Sequence, residues 1–386
     1  MTDFTIAEVP VPTSLDADGA EDFAAVLEVS NLVYAIGFGT DDLSERPPEA
    51  LPHFQDKERP QRILAARVDD RIVGVAFYET TLGDDADSGW LSVAVLDEFR
   101  NRGIGSALAQ RIEEWAIADG KTKALCFTPI PSGSGEQMAS PTGFGSITLN
   151  SDARFLLSKG YRLEQVERLS RLPLPVVDID AQVIAAQEAS GADYALHSWE
   201  GAAPDRWRED IAVLATRMST DAPSAGLEEP EDVWTAVRVA EADERAAASP
   251  RVRFEMVVEH VPSGRLVGFT MLSVPPQSDR AVNQWATLVL REHRGHKLGM
   301  LLKVANIAHL QRLSPGHPSI LTFNAEENRH MLSVNEQVGF VGIAAESAWR
   351  KDLAWCAGPN PSREYSNLYS REETRASVDD AVLPER

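Results

Sequence analysis

Val93-Ala94-Val95-Leu96-Asp97-Glu98-Phe99-Arg100-Asn101-Arg102-Gly103-Ile104-Gly105-Ser106-Ala107-Leu108 is the stretch on which the reading of this chain turns. An apolar strand runs into Arg100–Gly105, and a helix follows. At such a junction the first backbone N–H groups of the helix lack partners and its positive end faces outward, which suits a phosphate. Glycines let the backbone wrap an anion without Cβ clashes, and Arg100 and Arg102 can add charge-assisted bonds. A plain helix start with a glycine turn would look similar in isolation. A dinucleotide loop would need Gly-x-Gly-x-x-Gly in a parallel βαβ unit, whereas the strands before this loop read as a meander.

The pattern returns as Arg294-Gly295-His296-Lys297-Leu298-Gly299, 194 residues later. Arg71, Val73 and Gly74 match Arg265, Val267 and Gly268 at that same offset of 194, while Gly160-Tyr161 and Gly339-Phe340 lie 179 apart. The shortfall falls where Pro129 to Gly145 is rich in Pro, Gly and Ser and reads as a flexible loop, so the first copy carries an insertion there. A constant offset broken once argues for duplication.

Periodicity predicts a helix over 20–36, then loop around Pro47, Pro48, Pro52 and Pro60. Strands are expected at 62–68, 71–81 and 89–96, with turns at Asp69-Asp70 and Gly83–Asp87. A helix at 103–119, a strand at 122–128, a helix at 152–158 and a strand at 161–172 follow. The second copy reads as helices at 207–218 and 230–246 and strands at 253–260, 265–274 and 282–290. A helix at 298–312, a strand at 319–323, a helix at 328–337 and strand pieces near 340–344 and 349–353 close it. These divide the chain into domains at 1–172 and 195–357, a linker at 173–194 marked by Pro173-Leu174-Pro175, and a polar tail at 358–386.

The 386 residues are 43% hydrophobic and 25% charged, as expected of a globular protein with two sizeable cores. A formal charge of −22 disfavours nucleic acid and anionic membrane as partners and suits a cationic acceptor, although acidity also serves solubility alone. Cys126 and Cys356 are the two cysteines, without metal-ligand spacing. With no secretory pattern after Met1 and no apolar run near membrane-spanning length, the expectation is a cytoplasmic monomer or homodimer. His293, His296, His309 and His330 lack a metal-binding spacing and read as surface or capping residues; Trp90, Trp285 and Trp349 read as core.

The strand, Arg-x-x-Gly-x-Gly loop and helix resemble the pyrophosphate loop of the GNAT superfamily, the acyl-coenzyme A-dependent N-acetyltransferases. The resemblance implies an α/β (α+β) chain of two tandem GNAT-like domains, each a mixed, mostly antiparallel twisted sheet flanked by helices. It implies acetyl-coenzyme A as cosubstrate, an amine acceptor and no metal. It assigns coenzyme binding to Val93, Val95, Arg100, Asn101, Arg102, Gly103, Ile104, Gly105 and Ser106. In the second copy it assigns Leu288, Val289, Arg294, Gly295, Lys297 and Gly299, with Asn324 and Asn328 from the later Asn-containing, Gly-Phe-ending motif. Lys297 stands where the first copy has Gly103, which is comfortable if its φ is negative.

Amine acetylation calls for a base, oxyanion donors and an acid for the thiolate. Many family members place a tyrosine four residues before the closing glycine of the late helix; Leu156 and Asn335 occupy those positions. The base candidates are Glu326 and Glu327 in the second copy and Glu79 and Glu98 in the first, each also readable as a solvated carboxylate. Asn324 completes the candidate catalytic set with Glu326 and Glu98. The expected activity is acetyl transfer to a primary amine of a small molecule or peptide, with a non-catalytic acyl-coenzyme A-binding protein as the alternative.

Overall fold

The computed structural model describes residues 3–81, 87–131, 135–221, 223–228 and 231–353. The expected tail at 358–386, Cys356 and most of the turn at Gly83–Asp87 lie outside these residues.

A strand β1 (Thr5–Val9) precedes helix α1 (Ala20–Phe38), whose Phe23, Val26, Leu27 and Val29 enter the core. The proline-rich stretch expected as loop forms helix α2 (Pro47–Phe54). Pro47 sits at the first helical position, where a missing N–H costs nothing. The meander β2 (Gln61–Val68), β3 (Arg71–Thr80) and β4 (Ser88–Val95) leads through a 3-10 turn to α3 (Ile104–Ala118) and β5 (Lys123–Ile130). The inserted stretch is partly ordered: β6 (Gln137–Ala139) pairs with β7 (Ser146–Thr148). Helix α4 (Ser151–Ser158), capped by Asn150 onto the Ala153 N–H at 2.8 Å, leads into β8 (Arg162–Pro173).

The expected linker contains helix α5 (Ile179–Ser190), and strand β9 (Tyr194–Glu200) follows. Helix α6 (Arg208–Asp221) precedes α7 (Ala236–Ala247), which begins after Thr235 rather than at Pro230. The Thr235 hydroxyl accepts from the Arg238 N–H at 3.2 Å, a cap that sets the start. Then come β10 (Val252–His260), β11 (Arg265–Val274), β12 (Val282–Val289), α8 (Leu298–Leu313), β13 (Ser319–Ala325), α9 (Arg329–Val338) and β14 (Val341–Asp352). The two strand pieces expected at the end are one continuous strand.

The elements repeat in register. Strands β3 and β4 and helix α3 begin 194 residues before β11, β12 and α8 (265 − 71), and β8 begins 179 residues before β14. All the long strands join one twelve-stranded sheet in the order β1-β2-β3-β4-β5-β14-β8-β13-β12-β11-β10-β9. The order shows an exchange. Strand β14, last in sequence, pairs with β5 of the first half, while β8 pairs with β13 of the second. The two exchanged strands pair with each other at the centre of the sheet.

Other contacts cross the same line. Phe38 of α1 meets Phe323 of β13 with ring centroids 5.7 Å apart. The Glu49 carboxylate, only 3% exposed, is held between Arg251 at 3.4 Å and Arg280. Residues 1–353 accordingly form one compact unit.

Candidate functional site

Strands β4 and β5 run parallel but pair only from Ser88–Lys123 to Trp90–Leu125. Beyond Trp90 they part, leaving one edge of β4 without a strand partner. The Leu96 N–H donates to Val73 on β3 at 3.0 Å, so the alternating backbone groups of Val93 and Val95 face the gap. The Val95 carbonyl there accepts from Arg100 Nε at 3.2 Å.

The gap opens into a cleft of about 480 Å³ between β4, β5, α1, α3 and α4. Val93, Val95, Arg100, Asn101, Gly103, Gly105 and Ser106 all line it. Ile104 is buried beneath, 1% exposed. Arg102 lies over the Phe99 ring at 5.0 Å and donates to the Glu98 carbonyl at 2.6 Å. Gly103 has φ +89° and no side chain caps α3, so the first-turn N–H groups are available to an anion. Arg100 is anchored at 2.8 Å to Asp152 on α4 and at 2.9 Å to Asp97. Helix α1 reaches the cleft because residue 37 is glycine: a Cβ there would lie 2.6 Å from the Pro129 Cβ.

Two cleft residues, Tyr34 and Cys126, had no motif to mark them, and neither had Glu346 on the adjoining strand β14. Tyr34 on α1 and Cys126 on β5 are both pushed up to about 12 by burial, with Ser92 on β4 pulling the Tyr34 value down in part. Glu346 on β14 stands opposite the cleft residue Pro129 on one side and opposite Glu167 of β8 on the other. Burial, then the Glu167 charge, raises its carboxyl to about 8. The Glu346 charge in turn contributes to the raised values of Tyr34 and Cys126. The sequence did hold one signal: Glu346 follows Glu167 by the repeat offset of 179.

The expected bases lie elsewhere. Glu98 is exposed and meets Arg71 at 3.4 Å, outside the cleft lining. Glu326 is gripped by Arg168 through two bonds of 2.8 and 2.9 Å, with Arg329 at 3.4 Å. Glu79 is bound to Gln61 at 3.0 Å, and Glu327 to Gln165 at 2.7 Å. Tyr161 lines the cleft, its hydroxyl value raised by burial.

The second loop keeps the shape with its residues exchanged. The left-handed positions are Asn101 (φ 60°) and Gly103 (φ 89°) in the first loop, and Gly295 (φ 91°) and Lys297 (φ 58°) in the second. Lys297 therefore sits at positive, not negative, φ. Arg294 Nε donates to the Val289 carbonyl at 3.1 Å, as Arg100 does to Val95. Its guanidinium and that of Arg291 are tied to Asp221 at 2.7 and 3.0 Å.

Strands β12 and β13 also part after three paired positions, but the cleft there is about 180 Å³. Asn324 and Asn328 line it; Leu288, Val289, Arg294, Gly295, Lys297 and Gly299 do not. Leu288 is 6% exposed in a core cluster with Trp207 and Leu214. Trp285, expected in the core, is 66% exposed at the rim, whereas Trp349 is fully buried. Among the described residues no group of three or more His, Cys, Asp or Glu is placed to hold a metal, and no helix is long and apolar enough to cross a membrane.

Residues 32–130, from α1 to the end of β5, match the Acetyltransferase (GNAT) family. No curated protein matches the chain by sequence. Among solved structures, a tandem GNAT protein from the clavulanic acid biosynthesis pathway superposes with a TM-score of 0.66 and 22% identity, over 91% of this chain and 99% of its own. A GCN5-related N-acetyltransferase from Sphaerobacter thermophilus gives 0.60 and 15% identity, over 91% and 96%. The glucosamine N-acetyltransferase region of a fungal multi-domain GH3 β-N-acetylglucosaminidase gives 0.55 and 16%, over 91% of this chain and 38% of that one. The chain has the GNAT acetyltransferase fold, a mixed α/β arrangement of twisted sheet and flanking helices.

Proposed function

We propose that this protein is an acetyl-coenzyme A-dependent N-acetyltransferase built from two tandem GNAT-like halves, 1–172 and 195–357 with 173–194 between them, of which the first binds the coenzyme. One observation carries the reading: the unpaired edge of β4 and the uncapped start of α3 border a single cleft of about 480 Å³. Backbone groups of Val93 and Val95 would pair with the pantetheine arm. The N–H groups at Gly103–Ser106, helped by Arg100, Asn101 and Arg102, would receive the pyrophosphate.

In this reading the amine nitrogen attacks the thioester carbonyl, the carbon–sulfur bond breaks, and Glu346 takes the proton from nitrogen. Its raised value suits a base working near neutrality. Tyr34 stays neutral and supplies a hydrogen bond to the departing sulfur, a role the late-helix positions Leu156 and Asn335 cannot fill. The net charge of −22 favours the approach of a cationic amine.

The test is a thiol-release screen with acetyl-coenzyme A across amino sugars, polyamines, amino acids and peptides. Amine-dependent release supports the transferase. Coenzyme binding without release from any amine would favour the binding-only alternative, which the missing late-helix tyrosine motivates.

A further inference from the structure

The second cleft has been rebuilt around a lysine. At the repeat offset of 194, Ala109, a wall of the first cleft, becomes Lys303, Val93 becomes Thr287 and Ile112 becomes Asn306. Lys303 is 2% exposed and lines the second cleft. Its ammonium meets no carboxylate partner among the described residues; burial alone brings its value down to about 7. The Phe340 ring lies 5.7 Å from the ammonium. An amine buried without a counter-charge is costly unless something anionic joins it.

The neighbours are aligned as donors. Asn324 uses its carbonyl oxygen to accept from Asn335 at 2.6 Å, and Asn328 uses its own to cap the Met331 N–H at 3.3 Å. Both side chains line the cleft, and with their oxygens engaged their NH₂ groups are what they can offer a ligand. Trp285, Phe323 and Met331 provide an apolar flank. Glu167, on β8, is the other ionisable residue of the lining.

We propose that this second cleft binds a small carboxylate, held by Lys303 and by the amide groups of Asn324 and Asn328, with its hydrocarbon end against Trp285 and Phe323. A cleft of about 180 Å³ has room for a few-carbon acid. The proposal does not depend on acetyl transfer.

The test is calorimetric titration of the full chain with sodium propionate at pH 7.5, in two buffers of different ionisation enthalpy, with inorganic phosphate as the comparison anion. Propionate should bind one per chain with uptake of a proton, since the ligand favours the charged lysine. Lys303→Met should weaken it at least tenfold. Asn328→Asp, which keeps the helix cap but replaces the donor by a charge, should do the same. Gly103→Trp, which acts on the first cleft, should leave it unchanged. Absence of propionate binding, binding indifferent to both second-cleft variants, loss in Gly103→Trp, or phosphate binding more tightly than propionate would each overturn the proposal.

Discussion

Glu346 lies directly opposite Glu167 in the antiparallel pair of β14 and β8, and the two are counterparts at the repeat offset of 179. The exchange of strands thus brings one carboxylate from each half to the centre of the sheet. Glu346 pairs opposite Pro129, a wall of the first cleft, and Glu167 lines the second. Two carboxylates so placed cannot both ionise freely, and burial together with the Glu167 charge raises the Glu346 carboxyl to about 8.

This relationship sets a pH dependence. A base must be ionised to accept a proton, so kcat/KM should rise with pH through an inflection near 8. Glu346→Gln should lower kcat/KM by about 10²-fold or more and remove that inflection. A pH–rate profile of both proteins checks it. A retained inflection in the variant would assign the base elsewhere.

Glu49 joins the halves through two arginines of the second. Glu49→Ala leaves Arg251 and Arg280 partly buried without their counter-ion. The expected loss is about 3 kcal/mol, read from urea unfolding. Glu49→Gln should recover only the hydrogen bonds.

Lys303 predicts stability that changes with pH. Its folded value lies near 7, below the unfolded lysine value of about 10.4, so the unfolded chain binds more protons between them. Stability should therefore rise with pH across that window. Lys303→Met lacks this term. Its advantage over the parent should shrink by roughly 1 kcal/mol per pH unit from pH 7 upward. Parallel unfolding curves at pH 7 and 9 decide the matter, and an unchanged difference would mean the lysine is not charged-state coupled to folding.

Lys297 holds a left-handed conformation, φ 58°, which a glycine adopts freely. Lys297→Gly should raise stability by about 1 kcal/mol if its side chain is only structural. Thermal unfolding measures this.

The meander, the two loops and the long helices were legible because alternation, glycine placement and 3.6-residue spacing are local signals. Helix α2 was missed because proline is read as a breaker, although at Pro47 it starts a helix. The pairing of β14 with β5 could not be seen locally: Ser347 faces Thr128 across 219 residues of chain. That one long-range pairing also hid the proposed base. Glu346 in a strand and Tyr34 in a helix carry no motif; only the fold sets Tyr34 in one cleft with Val93 and Arg100, and Glu346 opposite Pro129 of that cleft. Glu326 was placed by motif, and the fold sets its carboxylate against Arg168 at 2.8 Å.

The assignment of the coenzyme to the first cleft is tested most directly by titrating acetyl-coenzyme A into three proteins in the calorimeter. The parent should bind one equivalent. Gly103→Trp, which loads a left-handed position at the start of α3, should lose at least tenfold in affinity while melting cooperatively. Gly299→Trp, at the corresponding loop of the second half, should bind as the parent does. Two equivalents in the parent, or loss in Gly299→Trp with retention in Gly103→Trp, would contradict it.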